Sequence, residues 1–171
     1  THLLTTNLNL AYQLFKGLEV SSNFGYNNSR NTIGGGTTIE AQNPLYNPVG
    51  IATVLNSDNQ NWIIEPQFSY KADIGKGRLT ALVGATLQAT VAGSNTIIGY
   101  GYTDDDLLGS LSLAPFTQVT DKSGQYKYAA LFSRLNYVWD DKYVLNLSGR
   151  RDGSSRFGKG KQYGNFGAIG L

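Results

Sequence analysis

The stretch Leu8-Asn9-Leu10-Ala11-Tyr12-Gln13-Leu14-Phe15-Lys16-Gly17-Leu18-Glu19-Val20 decides how the rest of the chain reads. Leu8, Leu10, Tyr12 and Leu14 take every second position, and Asn7, Asn9, Ala11 and Gln13 fill the places between. Successive side chains leave a strand on opposite sides, so a period of two marks a strand with one oily and one wet face. Lys16-Gly17 interrupts the alternation as a short turn. Beyond it, Leu18, Val20, Phe24 and Tyr26 oppose Glu19, Ser21, Asn23 and Asn27. The two runs predict a hairpin over about residues 4–29.

The pattern recurs. Over residues 62–91, Ile64, Phe68, Tyr70 and Ala72 oppose Glu65, Gln67, Ser69 and Lys71. After a turn at residues 73–77, Leu79, Ala81, Val83, Ala85 and Leu87 oppose Thr80, Thr86 and Gln88. Pro66 cannot donate to a ladder and predicts a bulge or a locally broken pair. A third hairpin spans about 126–151 and turns at Asp140-Asp141-Lys142. Leu131, Leu135, Tyr137, Trp139, Tyr143, Leu145 and Leu147 share one face; Arg134, Asn136, Asn146, Ser148 and Arg150 share the other. A last strand runs over 163–171. The fold class is therefore all-β: an antiparallel up-and-down meander of about seven strands.

Connection lengths place this meander. Turns of about two to five residues alternate with excursions of roughly 30 residues (29–61) and 35 residues (92–125), then a shorter one at 152–162. Long loops on one side and tight turns on the other are what a transmembrane β-barrel has, so the meander reads as a partial barrel wall with outer-membrane lipid against its oily face. Tyr12, Phe15, Tyr70, Tyr137, Trp139 and Tyr143 cluster near the tight turns as an interfacial girdle would, with Phe24, Tyr26 and Trp62 for the opposite rim. The composition agrees: 21 Gly, 11 Tyr and 15% charged residues suit strands and turns. No apolar run approaches the ~18 residues of a membrane helix, which leaves strands as the spanning element. The chain opens at Thr1 in what already reads as a strand, as expected if a leader was removed or the chain was cut from something longer.

Several chemistries have nothing to stand on. With no Cys, thiol catalysis and thiolate metal sites are excluded, and a single histidine, His2, cannot build a histidine-based zinc site. A net charge of +2 spread without basic blocks offers no nucleic-acid footprint. Asp104-Asp105-Asp106 lacks the alternating ligands and turn glycine of a calcium loop and reads as a solvated acidic loop. Gly34-Gly35-Gly36 neither follows a parallel strand nor opens a helix, against a phosphate loop. No nucleophile, base and orienting group assemble into a catalytic set, and no cofactor is expected.

Phe132-Ser133-Arg134-Leu135-Asn136-Tyr137-Val138-Trp139-Asp140-Asp141-Lys142-Tyr143-Val144-Leu145, followed by Arg150-Arg151-Asp152-Gly153-Ser154-Ser155-Arg156-Phe157-Gly158, closely resembles a barrel region of the SusC/RagA family of TonB-dependent outer-membrane receptors. Phe15-Lys16-Gly17-Leu18 resembles a turn of that family, and residues 75–84 resemble its turn and following strand. The resemblance covers about residues 4–171. It implies a bacterial outer-membrane barrel of about 22 strands filled by a plug, of which seven strands are roughly a third. It further implies uptake of an oligosaccharide or peptide, driven by TonB, beneath a SusD-like lipoprotein. The plug and the TonB-contacting segment are expected to lie outside this chain, which by itself transports nothing because its open edges need partners.

On the wet face, Glu19, Glu65, Lys71, Arg134 and Arg150 are candidates for contact with the plug or solute, although such charges more often pair across strands or stay hydrated. Arg151, Asp152, Gly153, Ser154, Ser155 and Arg156 read as a folding motif. The expectation is an Asx-assisted turn in which Asp152 accepts from following amides and a neighbouring arginine grips it bidentately. Two other readings remain open at this stage: a structural or adhesive outer-membrane barrel, and a soluble glycan-binding β-sandwich.

Overall fold

The computed structural model describes residues 1–158 and 160–171. Seven strands form one sheet in strictly sequential order: β1 (His2–Phe15), β2 (Leu18–Thr37), β3 (Gly50–Ile74), β4 (Gly77–Tyr102), β5 (Phe116–Trp139), β6 (Tyr143–Ser154) and β7 (Tyr163–Gly170). Neighbours in sequence are neighbours in the sheet, as an up-and-down meander requires. The pairing of β5 with β6 and of β6 with β7 is antiparallel, with Leu135 opposite Leu147 and Arg150 opposite Phe166.

The tight turns follow from local chemistry. Gly17 has a φ of +92°, and a β-carbon there would collide with the Lys71 carbonyl oxygen; the Lys71 amide in turn donates to the Gly17 carbonyl at 2.7 Å. Gly75, with φ +61°, fills the first central position of a two-residue turn, as a type II′ turn asks. Asp140 and Asp141 both have φ of +52°, and the Lys142 amide donates to the Trp139 carbonyl at 3.1 Å. The third turn is thus built on two left-handed residues, a conformation Asp tolerates better than most.

The chain divides into two compact units. The first to describe comprises Thr5–Asn27, Asn61–Thr90 and Gln125–Leu171, and it holds all three tight turns. Its apolar face is bare: Leu8, Leu10, Phe68, Val83, Leu131 and Tyr143 are all exposed. On β4 this face runs from Leu79 to Ala89, about ten residues or ~35 Å of strand. Tilted by ~45° that spans ~25 Å, the height of a barrel's lipid-facing band. Near the tight turns, the Tyr137 ring lies over Gly77 and its hydroxyl donates to the Ile74 carbonyl at 3.1 Å; the Trp139 and Tyr143 rings meet at 5.6 Å between centroids.

The second unit comprises Thr1–Leu4, Asn28–Gln60 and Val91–Gly124. Here the structure corrects the expected loops. β2, β3, β4 and β5 remain strands well past residues 29, 61, 91 and 125, which leaves only 38–49 and 103–115 as loops between them. The reason is cross-strand pairing of polar side chains: Arg30 with Asp58 at 2.9 Å, Thr32 with Asn56 at 2.8 Å, and Asn95 with Asp121 at 2.7 Å. Both loops carry short 3-10 turns, η1 (Pro44–Tyr46), then η2 (Asp105–Gly109) and η3 (Leu111–Leu113). Tyr102 is 1% exposed and donates to the Ser110 carbonyl at 3.0 Å, anchoring the second loop.

Two smaller expectations also change. Of the bulge or locally broken pair expected at Pro66, the bulge is not seen between β2 and β3: Asn23 meets Glu65 on one side of the proline and Gly17 meets Lys71 on the other, with an unchanged offset between the strands. β6 continues to Ser154, so Asp152 and Gly153 lie in a strand and not in a turn.

Buried apolar side chains among the described residues are Ala52, Ala89, Tyr102 and Ala130. A sandwich of two sheets would bury one face of each against the other. This single sheet with an open apolar face overturns the soluble-sandwich reading.

Candidate functional site

The face opposite the apolar one carries the chemistry. Glu65 on β3 bridges two neighbouring strands: one oxygen accepts from the Asn23 amide on β2 at 3.4 Å, the other from the Thr86 hydroxyl on β4 at 3.3 Å. Thr86 is 8% exposed, so Glu65 satisfies a hydroxyl that water reaches poorly. Asn61, four residues before Glu65, accepts from Gln88 and Thr90 at 3.3 and 3.1 Å. The polar face is stitched in rows across three strands.

Glu65→Ala in the full-length receptor is expected to lower stability by ~1 kcal/mol, because the Thr86 hydroxyl loses its acceptor. Glu65→Gln keeps an acceptor and should lower it by less. The two midpoints of thermal unfolding, measured side by side, check this ordering.

A second cluster lies where β5, β6 and β7 meet. Arg150 donates through Nε to Asp152 Oδ1 at 2.6 Å and through Nη2 to the Tyr128 hydroxyl at 2.5 Å; that hydroxyl donates to the same Asp152 oxygen at 3.1 Å. The Arg150 guanidinium also sits 5.9 Å from the centre of the Phe132 ring. Phe132 rests on Gly84, where a β-carbon would come within 2.6 Å of the ring. Leu82, Phe132, Arg134, Ser148, Arg150 and Phe166 line a shallow cleft of about 480 Å³ on this face.

The five wet-face candidates separate accordingly. Glu65 is half-buried and Arg150 exposed, both held by neighbouring side chains, and Glu19, Lys71 and Arg134 are exposed. Glu65 and Arg150 are not brought together: each belongs to its own row. Tyr128 was missed by sequence reasoning, although its place on the same alternation as Arg134 and Ser133's neighbour Phe132 marks it as a ring on the wet side.

The motif from Arg151 to Arg156 works differently from the expected Asx turn. Asp152 accepts from Arg150 and Tyr128, side chains on two strands, and the grip of Arg150 on it is through one nitrogen. The turn starts two residues later, where Ser154 Oγ accepts from the Arg156 amide at 3.2 Å. Ser155 clips the loop to β5: its hydroxyl accepts from the Lys127 amide, and its amide donates to the Lys127 carbonyl, both at 2.9 Å. Arg151 stacks over Tyr163 at 4.9 Å and Arg156 over Tyr126 at 4.4 Å. Gly153 is buried because the Tyr163 ring occupies the space a β-carbon would need.

The aspartate triplet also resolves. Asp104 accepts from the Asp106 amide at 3.0 Å and so caps η2, while Asp105 accepts from the Ile39 and Glu40 amides of the other loop at 2.7 and 3.3 Å. Among the described residues no three His, Cys, Asp or Glu side chains are placed to hold a metal. Gly34-Gly35-Gly36 is part of β2, which removes any phosphate-loop geometry.

No family model matches the chain. A curated relative, TonB-dependent receptor P26 of Formosa agariphila, is 35% identical over 133 residues, which is 74% of this chain and 13% of the relative. The RagAB peptide importer in its closed-closed state superposes with a TM-score of 0.88 at 24% identity, covering 98% of this chain and 19% of that one. The ferric preacinetobactin receptor BauA of Acinetobacter baumannii covers 98% of this chain and 26% of its own, with a TM-score of 0.57 and 13% identity. The chain belongs to the TonB-dependent receptors of the bacterial outer membrane, as a stretch of their β-barrel wall. Within that class its fold is the one seen in RagAB, in keeping with the SusC/RagA resemblance.

Proposed function

We propose that this wall segment lines part of the conduit through which a full-length receptor imports an oligosaccharide or peptide across the outer membrane. The observation that carries the reading is the two-sidedness of a single sheet: an uncovered apolar face, and opposite it rows of hydrogen-bonded polar side chains centred on Glu65 and Arg150. Hydrocarbon suits the first and a water-containing bore the second. In this reading Glu19, Lys71 and Arg134 face the bore as hydrated charges, available to the plug or to passing solute. Energy comes through TonB, and a SusD-like lipoprotein covers the mouth. The chain spans only 13% of the relative P26, so every one of these roles belongs to the whole receptor.

Uptake of labelled oligosaccharides and oligopeptides by cells with and without the full-length gene tests this. Loss of uptake of one of the two classes on deletion, and equal loss when TonB is removed, is the expected result. Uptake that persists without TonB overturns it, and an unaltered uptake of both classes leaves the adhesive barrel as the better account.

A further inference from the structure

Arg151 on β6 puts a charge on the oily side of the wall. It is paired in register with Leu131 of β5 and Asn165 of β7, and residues paired in register share a face. Leu131 belongs to the apolar face, so Arg151 does too. The two strands that border β6 are both in this chain, and Arg151 is exposed between them. What rests on it therefore comes from outside the wall.

The side chain is held in place but left unpaired. The Tyr163 ring takes the space over Gly153, where a β-carbon would come within 2.9 Å of it, and the Arg151 guanidinium lies 4.9 Å from the centre of that ring. Cation and ring brace each other. Among the described residues no carboxylate pairs with Arg151 and no protein group accepts from it, so its N–H donors are unspent. Lys127 on β5 has the parity of Leu131, stands nearer the loop end of the strand and is exposed as well. Between the two cations this face carries Ala129, Leu131, Gly153, Tyr163 and Asn165, none of them acidic.

Height points to the occupant. Tyr143, in the girdle near the tight turns, lies about eight residues below Arg151 on β6, which is ~27 Å of strand and ~19 Å of rise at a tilt of ~45°. That is the upper margin of a ~25 Å apolar band, where a long cationic side chain keeps its stem in oil and its head among lipid headgroups. Leu145 and Leu147 continue the same face below it, against acyl chains. Glycolipids of the outer leaflet carry phosphate on their sugars; a guanidinium takes phosphate through two parallel bonds, and an ammonium adds a point charge.

We propose that Arg151 and Lys127, braced by Tyr163, bind the phosphate of an outer-leaflet glycolipid against the outside of the barrel. The inference goes beyond the import reading and rests only on lipid against the apolar face.

The test uses the full-length receptor in a neutral detergent, with diphosphorylated lipid A as the probe and native mass spectrometry to read how much lipid is retained. Arg151→Gln should weaken retention about tenfold, Arg151→Lys and Tyr163→Leu by a few-fold each, and Arg134→Gln on the opposite face not at all. Lipid A stripped of its phosphates should be retained about tenfold more weakly by the wild type. Gel mobility of the folded barrel establishes that each variant is folded; if Arg151→Gln is not, Lys127→Gln and Tyr163→Leu carry the comparison. Equal retention by wild type and the folded variants overturns the proposal, and so does equal retention of the stripped lipid or none of either. Displacement of lipid A by millimolar inorganic phosphate overturns it too, because the acyl contacts would then contribute nothing. Uptake is not read here, so failure of the import reading leaves this result standing.

Discussion

Val83→Arg in the full-length receptor is expected to lower the stability of the inserted barrel by ~2–4 kcal/mol, roughly 30- to 1000-fold in the folding equilibrium. Val83 is 48% exposed on β4, in the middle of the apolar run from Leu79 to Ala89. In the membrane that exposure is contact with hydrocarbon, where a guanidinium loses hydration and finds no counter-charge. Ser69→Arg is the matched control, because Ser69 lies on the polar face of β3, and its cost should stay within ~1 kcal/mol. Urea titration of the two variants in lipid vesicles, read by the gel mobility of folded and unfolded receptor, measures the difference. Equal tolerance of arginine at both positions would falsify the assignment of the apolar face to lipid.

Gly17→Ala should be the more damaging of two outwardly similar turn substitutions, destabilising the receptor by ~3 kcal/mol or more against ~1 kcal/mol for Gly75→Ala. Both glycines have positive φ, +92° and +61°. The difference lies in their surroundings. A methyl group on Gly75 meets nothing within 4 Å, whereas one on Gly17 runs into the Lys71 carbonyl, whose amide is bonded back to Gly17. The turn between β1 and β2 cannot move aside without breaking that contact with β3. Thermal midpoints of the two variants, with wild type alongside, decide the ordering, and a smaller effect at Gly17 would contradict it.

How much of this was readable beforehand depends on which interaction sets each element. Inside the apolar band the alternation of Leu, Tyr and Val with Asn, Ser and Thr made strands and turns legible residue by residue. Beyond it the same strands persist on pairs such as Arg30 with Asp58 and Asn95 with Asp121. Both members are polar, so hydropathy carries no period there and the strands read as loops. The site was legible in part. Arg150 and Glu65 were picked out by charge on the wet face, but their partners Tyr128 and Thr86 lie 22 and 21 residues away along the chain. The Asp152 turn failed because a carboxylate followed by Gly and Ser looks set to accept from the next amides, yet its donors are Arg150, two residues back on β6, and Tyr128 across the pair on β5. Asp105 reaches amides 66 and 65 residues distant, a brace no local pattern announces.

The bare apolar face of this sheet has a further consequence for biogenesis. Leu8, Phe68, Val83 and Leu131 meet no second layer within this segment, so water opposes that face and lipid relieves it. Left in water, the chain would stick by that greasy face to other copies. Holdase chaperones would therefore have to escort it, unfolded, to the machinery that seats it, and starving the periplasm of such escorts should deplete this receptor sooner than proteins that fold around a core of their own.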